Sequence, residues 1–224
     1  MGNDKESIRM KIWRLMEEEG IAAFPRPVYH RIPNFKGSRE AAEKLVSTNI
    51  YRVARVVKVN PDAPQRPVRY KVLRDGKLLI MPTPRLRGGF LVLDPSKIPG
   101  SYLSKASTIK GAFSLGIEVP AEKLVDIVER IDLIVEGSVA VDFNGGRLGK
   151  GEGYGDKEFD ILSRVGLVSQ CTPVATTVHD VQVFSKPLPQ EPHDAKVSLI
   201  ATPTRVIVTE HGRRQSEACG LTLV

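Results

Sequence analysis

Leu133-Ile134-Val135-Glu136-Gly137-Ser138-Val139-Ala140-Val141 runs directly into Asp142-Phe143-Asn144-Gly145-Gly146-Arg147-Leu148-Gly149-Lys150-Gly151-Glu152-Gly153-Tyr154-Gly155-Asp156. The first segment is almost continuously apolar, which a strand buried on both faces of a parallel sheet requires. Before it, Pro120 suits the first position of a helix, with Leu124, Val125, Val128 and Ile131 along one face. After the glycine-rich turn, Lys157–Val165 reads as another helix. Helix, buried strand, turn and helix in succession predict an α/β fold with a mostly parallel sheet.

The flanking chain agrees. Ser7–Glu19 repeats Ile8, Ile12, Leu15 and Met16 at helical spacing and stops at Gly20. Ile21–Gly37, broken by Pro25, Pro27 and Pro33, reads as an irregular connection. Ser38 is placed to cap a short helix over Arg39–Ser47. Val53–Val59 is rich in β-branched residues and reads as a strand, and Asn60–Pro67, with three prolines, as a loop. Gly76-Lys77 turns into a strand at Leu78–Met81; further strands are expected near Pro173–Val178, Val197–Ala201 and Arg205–Thr209. Trp13 and the phenylalanines read as core.

The chain has 224 residues, 33 Lys+Arg and 26 Asp+Glu, a formal charge of +7. Its 41% apolar and 26% charged residues exclude disorder, collagen-like repeats and a disulfide scaffold. No stretch approaches the ~18 apolar residues of a membrane span, and the charged start Met1-Gly2-Asn3-Asp4-Lys5-Glu6 has no apolar segment behind it. Cys171 and Cys219 lack metal-type spacing and read as reduced thiols in a cytoplasmic protein. The charge is concentrated: residues 52–87 hold ten Lys/Arg against Asp62 and Asp75, a window of +8. Such a stripe suits an anionic partner or a solvated strand face. With only Tyr51 and Tyr70 interleaved, a base-stacking RNA surface is disfavoured, and nucleic acid is not the expected partner.

In 142–156, Gly149, Gly151 and Gly153 alternate, allowing backbone N–H groups to approach phosphate oxygens. Arg147 and Lys150 add charge, and the next helix starts its dipole at the same place. The spacing is neither a Walker A loop nor a dinucleotide-binding fingerprint, and Gly-x-Ser-x-Gly is absent. Asp156 suits a helix N-cap as well as a metal role, and His179-Asp180 and His193-Asp194 lack zinc spacing.

Arg147-Leu148-Gly149-Lys150-Gly151-Glu152-Gly153-Tyr154-Gly155-Asp156 resembles the signature of the 5-formyltetrahydrofolate cyclo-ligases, also called methenyltetrahydrofolate synthetases. Lys5-Glu6-Ser7-Ile8-Arg9, the Gly76-Lys77 turn before a strand ending at Pro82, and His193-Asp194 ahead of Val197 and Ala201-Thr202 look like further elements of that family in order. Arg31–Phe35 and Thr176–Asp180 look closer to archaeal members and to the eukaryotic methenyltetrahydrofolate synthetase domain-containing relatives.

The resemblance implies one three-layer α/β/α domain over 1–224, related to the ribose-isomerase and CoA-transferase group. It also implies ATP- and Mg²⁺-dependent cyclisation of 5-formyltetrahydrofolate to 5,10-methenyltetrahydrofolate, in which the formyl oxygen attacks the γ-phosphate and N10 then closes the ring. By motif, Lys5, Arg9, Arg147, Leu148, Gly149, Lys150, Gly151, Glu152, Gly153, Tyr154 and Gly155 would hold ATP. Arg147, Lys150 and Tyr154 would serve catalysis, and Asp156 and Asp194 would hold Mg²⁺. Three departures stand out: Gly155 replaces a second tyrosine, Glu152 puts an acid in the loop, and Asp62 is the only acid where the family has a folate-recognising Glu. An ATP-dependent enzyme on another anionic metabolite and an inactive nucleic-acid-binding relative are the alternatives. A phosphosugar isomerase on the same fold needs no ATP loop.

Overall fold

A computed structural model describes residues 4–191 and 194–224, with the side chain of Asp156 left aside; Met1–Asn3, Pro192 and His193 lie outside the described residues. The helices are α1 (Lys5–Glu18), α2 (Ser38–Val46), α3 (Asn49–Val53), α4 (Arg66–Arg74), α5 (Leu103–Ala106), α6 (Ile109–Leu115), α7 (Ala121–Leu124), α8 (Tyr154–Arg164) and α9 (Glu210–Cys219). The strands are β1 (Val56–Val59), β2 (Leu78–Pro82), β3 (Phe90–Leu93), β4 (Ile117–Val119), β5 (Leu133–Glu136), β6 (Ala140–Asp142), β7 (Arg147–Leu148), β8 (Val174–Thr177), β9 (Val183–Phe184), β10 (Leu199–Ala201) and β11 (Val206–Val208).

Eight strands form one sheet in the order β11-β10-β8-β5-β1-β2-β3-β4. Its centre, β10-β8-β5-β1-β2, is parallel; β3, β4 and β11 add antiparallel edges. Alternation along the strands sets the layers. Val57, Val59, Leu133 and Val135 pack toward α2 and α4, while Ile80 and Ile134 pack toward α7 and Leu162 of α8. Helices thus cover both faces. A third apolar cluster joins Ile8, Ile12, Trp13 and Met16 of α1 to Val139, Ala140 and Leu148 of a small sheet, β7-β6-β9. Asp4 caps α1 by accepting from Ser7 N at 2.6 Å.

Several expectations are corrected. The run 133–141 is two strands in different sheets, because the chain leaves β5 at Gly137 and resumes pairing only at Ala140. At Gly137 a Cβ would meet Asp62 Oδ2 at 2.9 Å and Ile32 Cγ2 at 3.0 Å. The helix behind Pro120 is only α7; Val128 and Ile131 are buried from a connecting segment. Val53 ends α3 rather than starting β1, and Gly37, not Ser38, is the residue before α2. Asn60–Pro67 is not all loop: Ala63–Gln65 is a 3₁₀ turn and Pro67 lies in the first turn of α4, where a missing N–H costs nothing. α8 begins at Tyr154, and its cap is Gly153 at φ 68°, which removes the capping role for Asp156. Trp13, Phe35 and Phe90 are core, but Phe24, Phe113 and Phe143 are exposed. Cys171 and Cys219 form a disulfide with Cα atoms 5.6 Å apart, joining α9 to the turn before β8. Reduced thiols are overturned by a pairing that a separation of 48 residues hides. Among the described residues, no helix is long and apolar enough to cross a membrane.

Candidate active site

The C-terminal ends of β1, β2 and β5 open into a cleft of about 940 Å³, where an open α/β sheet offers its ligand crevice. The glycine loop forms one wall. Gly151 and Gly153 hold φ of 104° and 68°, a left-handed backbone that other residues adopt at a cost. Arg9 Nε, from α1, donates to Gly149 O at 2.8 Å and so fastens the loop across the cleft. Arg147 Nη1 donates to Gly137 O at 3.0 Å, tying β7 to the end of β5. Lys150 pairs with Glu152 at 2.9 Å within the loop. Leu148 turns into the α1 cluster and anchors the loop from below.

Lys5, at the first turn of α1, reaches Asp194 Oδ2 at 2.7 Å and Glu191 Oε1 at 3.1 Å. Partial burial opposes the Lys5 ammonium, but its two carboxylate partners outweigh that and hold its pKa above the usual value. Every residue expected from the motif to hold nucleotide, with Asp194, therefore lines one cleft. The metal role of Asp156 and the His193 part of the late motif rest on groups outside the description. Asp194 and Glu191 offer hard oxygen donors beside a basic loop, a set that suits Mg²⁺ shared with phosphate oxygens. No group of three or more His, Cys, Asp or Glu placed to hold a metal occurs among the described residues.

Sequence reading missed the floor of the cleft. Lys58 lies in β1 between Val57 and Val59, and its alternation points it away from α2 and α4, toward α8. There Lys58 Nζ meets Glu136 Oε1 at 2.6 Å, Asn60 Oδ1 at 2.6 Å and the carboxylate of Glu158 on α8. Asn60 Nδ2 in turn donates to Glu136 Oε2 at 2.8 Å. Burial alone would raise Glu136, but Lys58 and Arg147 outweigh it and keep the carboxyl ionised. Burial dominates at Glu158 and pushes it up to about 7 despite Lys58. Arg69, also buried, donates to the carbonyls of Asn60, Asp62 and Ser107, and burial pushes it down to about 9, still protonated at neutral pH. The legible signal was a charge set inside each apolar strand, Val-Val-Lys-Val and Leu-Ile-Val-Glu.

Gly155 explains its own departure from the tyrosine pattern. A Cβ there would lie 2.8 Å from Arg147 Nη2 and 2.9 Å from Glu136 Oε2. Both are ends of long side chains, yet Glu136 is pinned by Lys58 and Asn60, and Arg147 by Gly137 O. Asp62 enters the cleft beside Gly137, and burial pushes its carboxyl up against the pull of Lys150 and Arg69. The basic window of 52–87 disperses. Lys58 and Arg69 are internal, Arg66 and Arg85 line the cleft, and Lys71 and Arg74 pair with Glu43 and Asp75.

The chain is 47% identical over 211 residues to a methenyltetrahydrofolate synthase domain-containing protein of Mus musculus, covering 93% of this chain and 56% of that protein. To the Homo sapiens protein of the same name it is 42% identical over 225 residues, covering 99% and 57%. It thus spans about half the length of the curated relatives it matches. Its fold is similar to the Aquifex aeolicus 5,10-methenyltetrahydrofolate synthetase, with a TM-score of 0.55 at 21% identity, covering 91% and 92% of the two chains. A Mycoplasma pneumoniae 5,10-methenyltetrahydrofolate synthetase gives 0.53 at 13% identity, covering 89% and 99%. Residues 1–203 match the model of the 5-formyltetrahydrofolate cyclo-ligase family, and the chain belongs to that family.

Proposed function

We propose that the chain is one cyclo-ligase-like domain that cyclises 5-formyltetrahydrofolate to 5,10-methenyltetrahydrofolate, with ATP converted to ADP and phosphate. The convergence of Lys5, Arg9, the 147–155 loop and Asp194 on one cleft, from three segments of which the first and last are 189 residues apart, carries this reading. In it, the loop amides, Arg147 and Lys150 neutralise the triphosphate as charge spreads onto its oxygens, and Arg9 keeps the loop in place. Tyr154, at the start of α8, faces the formyl end of the substrate. Asp156 and Asp194 would hold Mg²⁺, which would supply charge neutralisation at the phosphates. Asp62, the acid beside Gly137, takes the part of the folate-recognising carboxylate with a shorter reach.

The test is the absorbance of methenyltetrahydrofolate formed from 5-formyltetrahydrofolate, with ATP and Mg²⁺ each present or omitted. Product should require both, and Asp194→Asn should lose activity by orders of magnitude with partial recovery at raised Mg²⁺. Binding of ATP without any methenyl product would favour the second reading, ATP-dependent chemistry on another anionic metabolite. Glu152, an acid paired with Lys150 inside the loop, is the observation on its side.

A further inference from the structure

Phe24 is 85% exposed, the most exposed large apolar side chain among the described residues, and it stands with Pro25 at the mouth of the cleft. Single exposed apolar side chains ordinarily need no explanation. This one is held in place. Ala22 bridges Phe35 in antiparallel fashion, Ala23 N donates to Asn34 O at 2.9 Å, and Asn34 Nδ2 donates to Phe24 O at 2.6 Å. The same loop is fastened to α1. Trp13 Nε1 donates to Arg31 O at 2.9 Å, Val28 N donates to Glu17 Oε1 at 2.8 Å, and Arg26 pairs with Glu17. A loop tied at both ends and across its middle has no freedom to tuck the ring into the core.

Tyr154 is the other aromatic side chain that lines the cleft, and it stands at the glycine loop, at the start of α8. Lys5, Arg9 and Lys150 attract negative charge, but cations alone hold ATP and inorganic tripolyphosphate alike. An aromatic face adds a contact that only a planar ring can return. We propose that Phe24 is a stacking plate at the cleft mouth that selects anionic ligands carrying a planar heteroaromatic ring. This rests on the reading of the cleft as a nucleotide and reduced-folate site. Adenine and the pterin or aminobenzoyl rings of a folate share the required chemistry.

Calorimetry on the full chain tests it, with ATP, 5-formyltetrahydrofolate and tripolyphosphate titrated separately into wild type, Phe24→Ala and Phe24→Tyr. Phe24→Ala should lose about tenfold in affinity for one ring ligand, and the ligand affected identifies the stacked ring. Tripolyphosphate should bind unchanged, Phe24→Tyr should match wild type, and thermal stability should not move, since the side chain is exposed. Equal affinity of wild type and Phe24→Ala for both ring ligands overturns the proposal while leaving the nucleotide-folate reading intact. So does an equal loss for tripolyphosphate. A wild-type chain that binds neither ring ligand overturns the reading of the cleft, and the stacking role with it.

Discussion

Lys58 of β1 and Glu136 of β5 meet at 2.6 Å across two neighbouring parallel strands, with side chains only 1% and 5% exposed. With Glu158 on the far side of the ammonium, one buried cation faces two buried carboxylates. Removing the cation takes the nearest counter-charge from both carboxylates in a low dielectric and leaves Glu136 only the Arg147 guanidinium. Lys58→Met should therefore cost about 3–5 kcal/mol, whereas the triple replacement Lys58→Met, Glu136→Leu, Glu158→Leu should be about as stable as wild type. Urea denaturation measures both; a single variant within about 1 kcal/mol of wild type would show that the ions are compensated by water instead.

The loop conformation makes its own prediction. Gly151 sits at φ 104°, and the point where its Cβ would stand is 3.5 Å from the Arg9 guanidinium. A valine there is strained by about 1–3 kcal/mol in a surface loop and narrows the approach to the backbone amides. Gly151→Val should bind ATP at least tenfold more weakly while its melting temperature falls by only a few degrees. Calorimetry beside a thermal melt checks both, and unaltered affinity would remove the loop from the binding site.

Glu152 is half exposed and holds Lys150 at 2.9 Å. Neutralising it frees the ammonium and removes one repulsion toward a triphosphate, but solvent screens so exposed a pair. Glu152→Gln should bind ATP about threefold more tightly at low salt, and the gain should shrink at high salt. Weaker binding would mean that Glu152 helps to hold the ligand's metal rather than opposing its charge.

Asp132 supplies the pH dependence that is simplest to isolate. Its Oδ2 accepts from Arg55 N and Val56 N, both at 2.9 Å, where the chain enters β1. Burial raises its pKa, but those two amides and Arg130 together hold it below the ordinary 3.8. A depressed folded value gives stability that is present above about pH 4 and is lost as the pH falls through the folded value. Asp132→Asn should be about 1 kcal/mol less stable than wild type at pH 7, with the gap closing toward pH 2. A gap that persists in acid would assign the loss to geometry instead of charge.

The dispersed cations of residues 52–87 leave no continuous basic track. RNA should bind only in the nonspecific range of about 10⁻⁴–10⁻⁶ M at physiological salt, falling steeply as salt rises. A gel shift at two salt concentrations decides it; tight, salt-resistant binding would reopen the nucleic-acid reading.

What the sequence made legible was what is periodic or local. α1, the strand at 133–136 and the glycine turn into α8 all carry a pattern contained within one segment. α4 was missed because Arg69 interrupts its apolar face, and that arginine is tolerated inside only because the carbonyls of Asn60, Asp62 and Ser107 converge on it. β3 pairs antiparallel with β2 behind Gly88-Gly89, a connection that parallel alternation does not anticipate. The Cys171–Cys219 bond and the Lys58–Glu136–Glu158 cluster join distant segments, so only the folded chain displays them. The site motif gave the cleft wall, and topology gave its floor.

The clearance at Gly155 has a consequence for what position 155 can carry. Any side chain at 155 must displace Arg147 Nη2 and Glu136 Oε2 from where they now stand. A tyrosine there therefore requires Arg147 and Glu136 to move together, against the hydrogen bonds that hold Glu136 to Lys58 and Asn60 and Arg147 to Gly137 O. Positions 58, 136, 155 and 158 therefore form one packed unit: a side chain at 155 moves Glu136, and Lys58 carries that displacement on to Glu158.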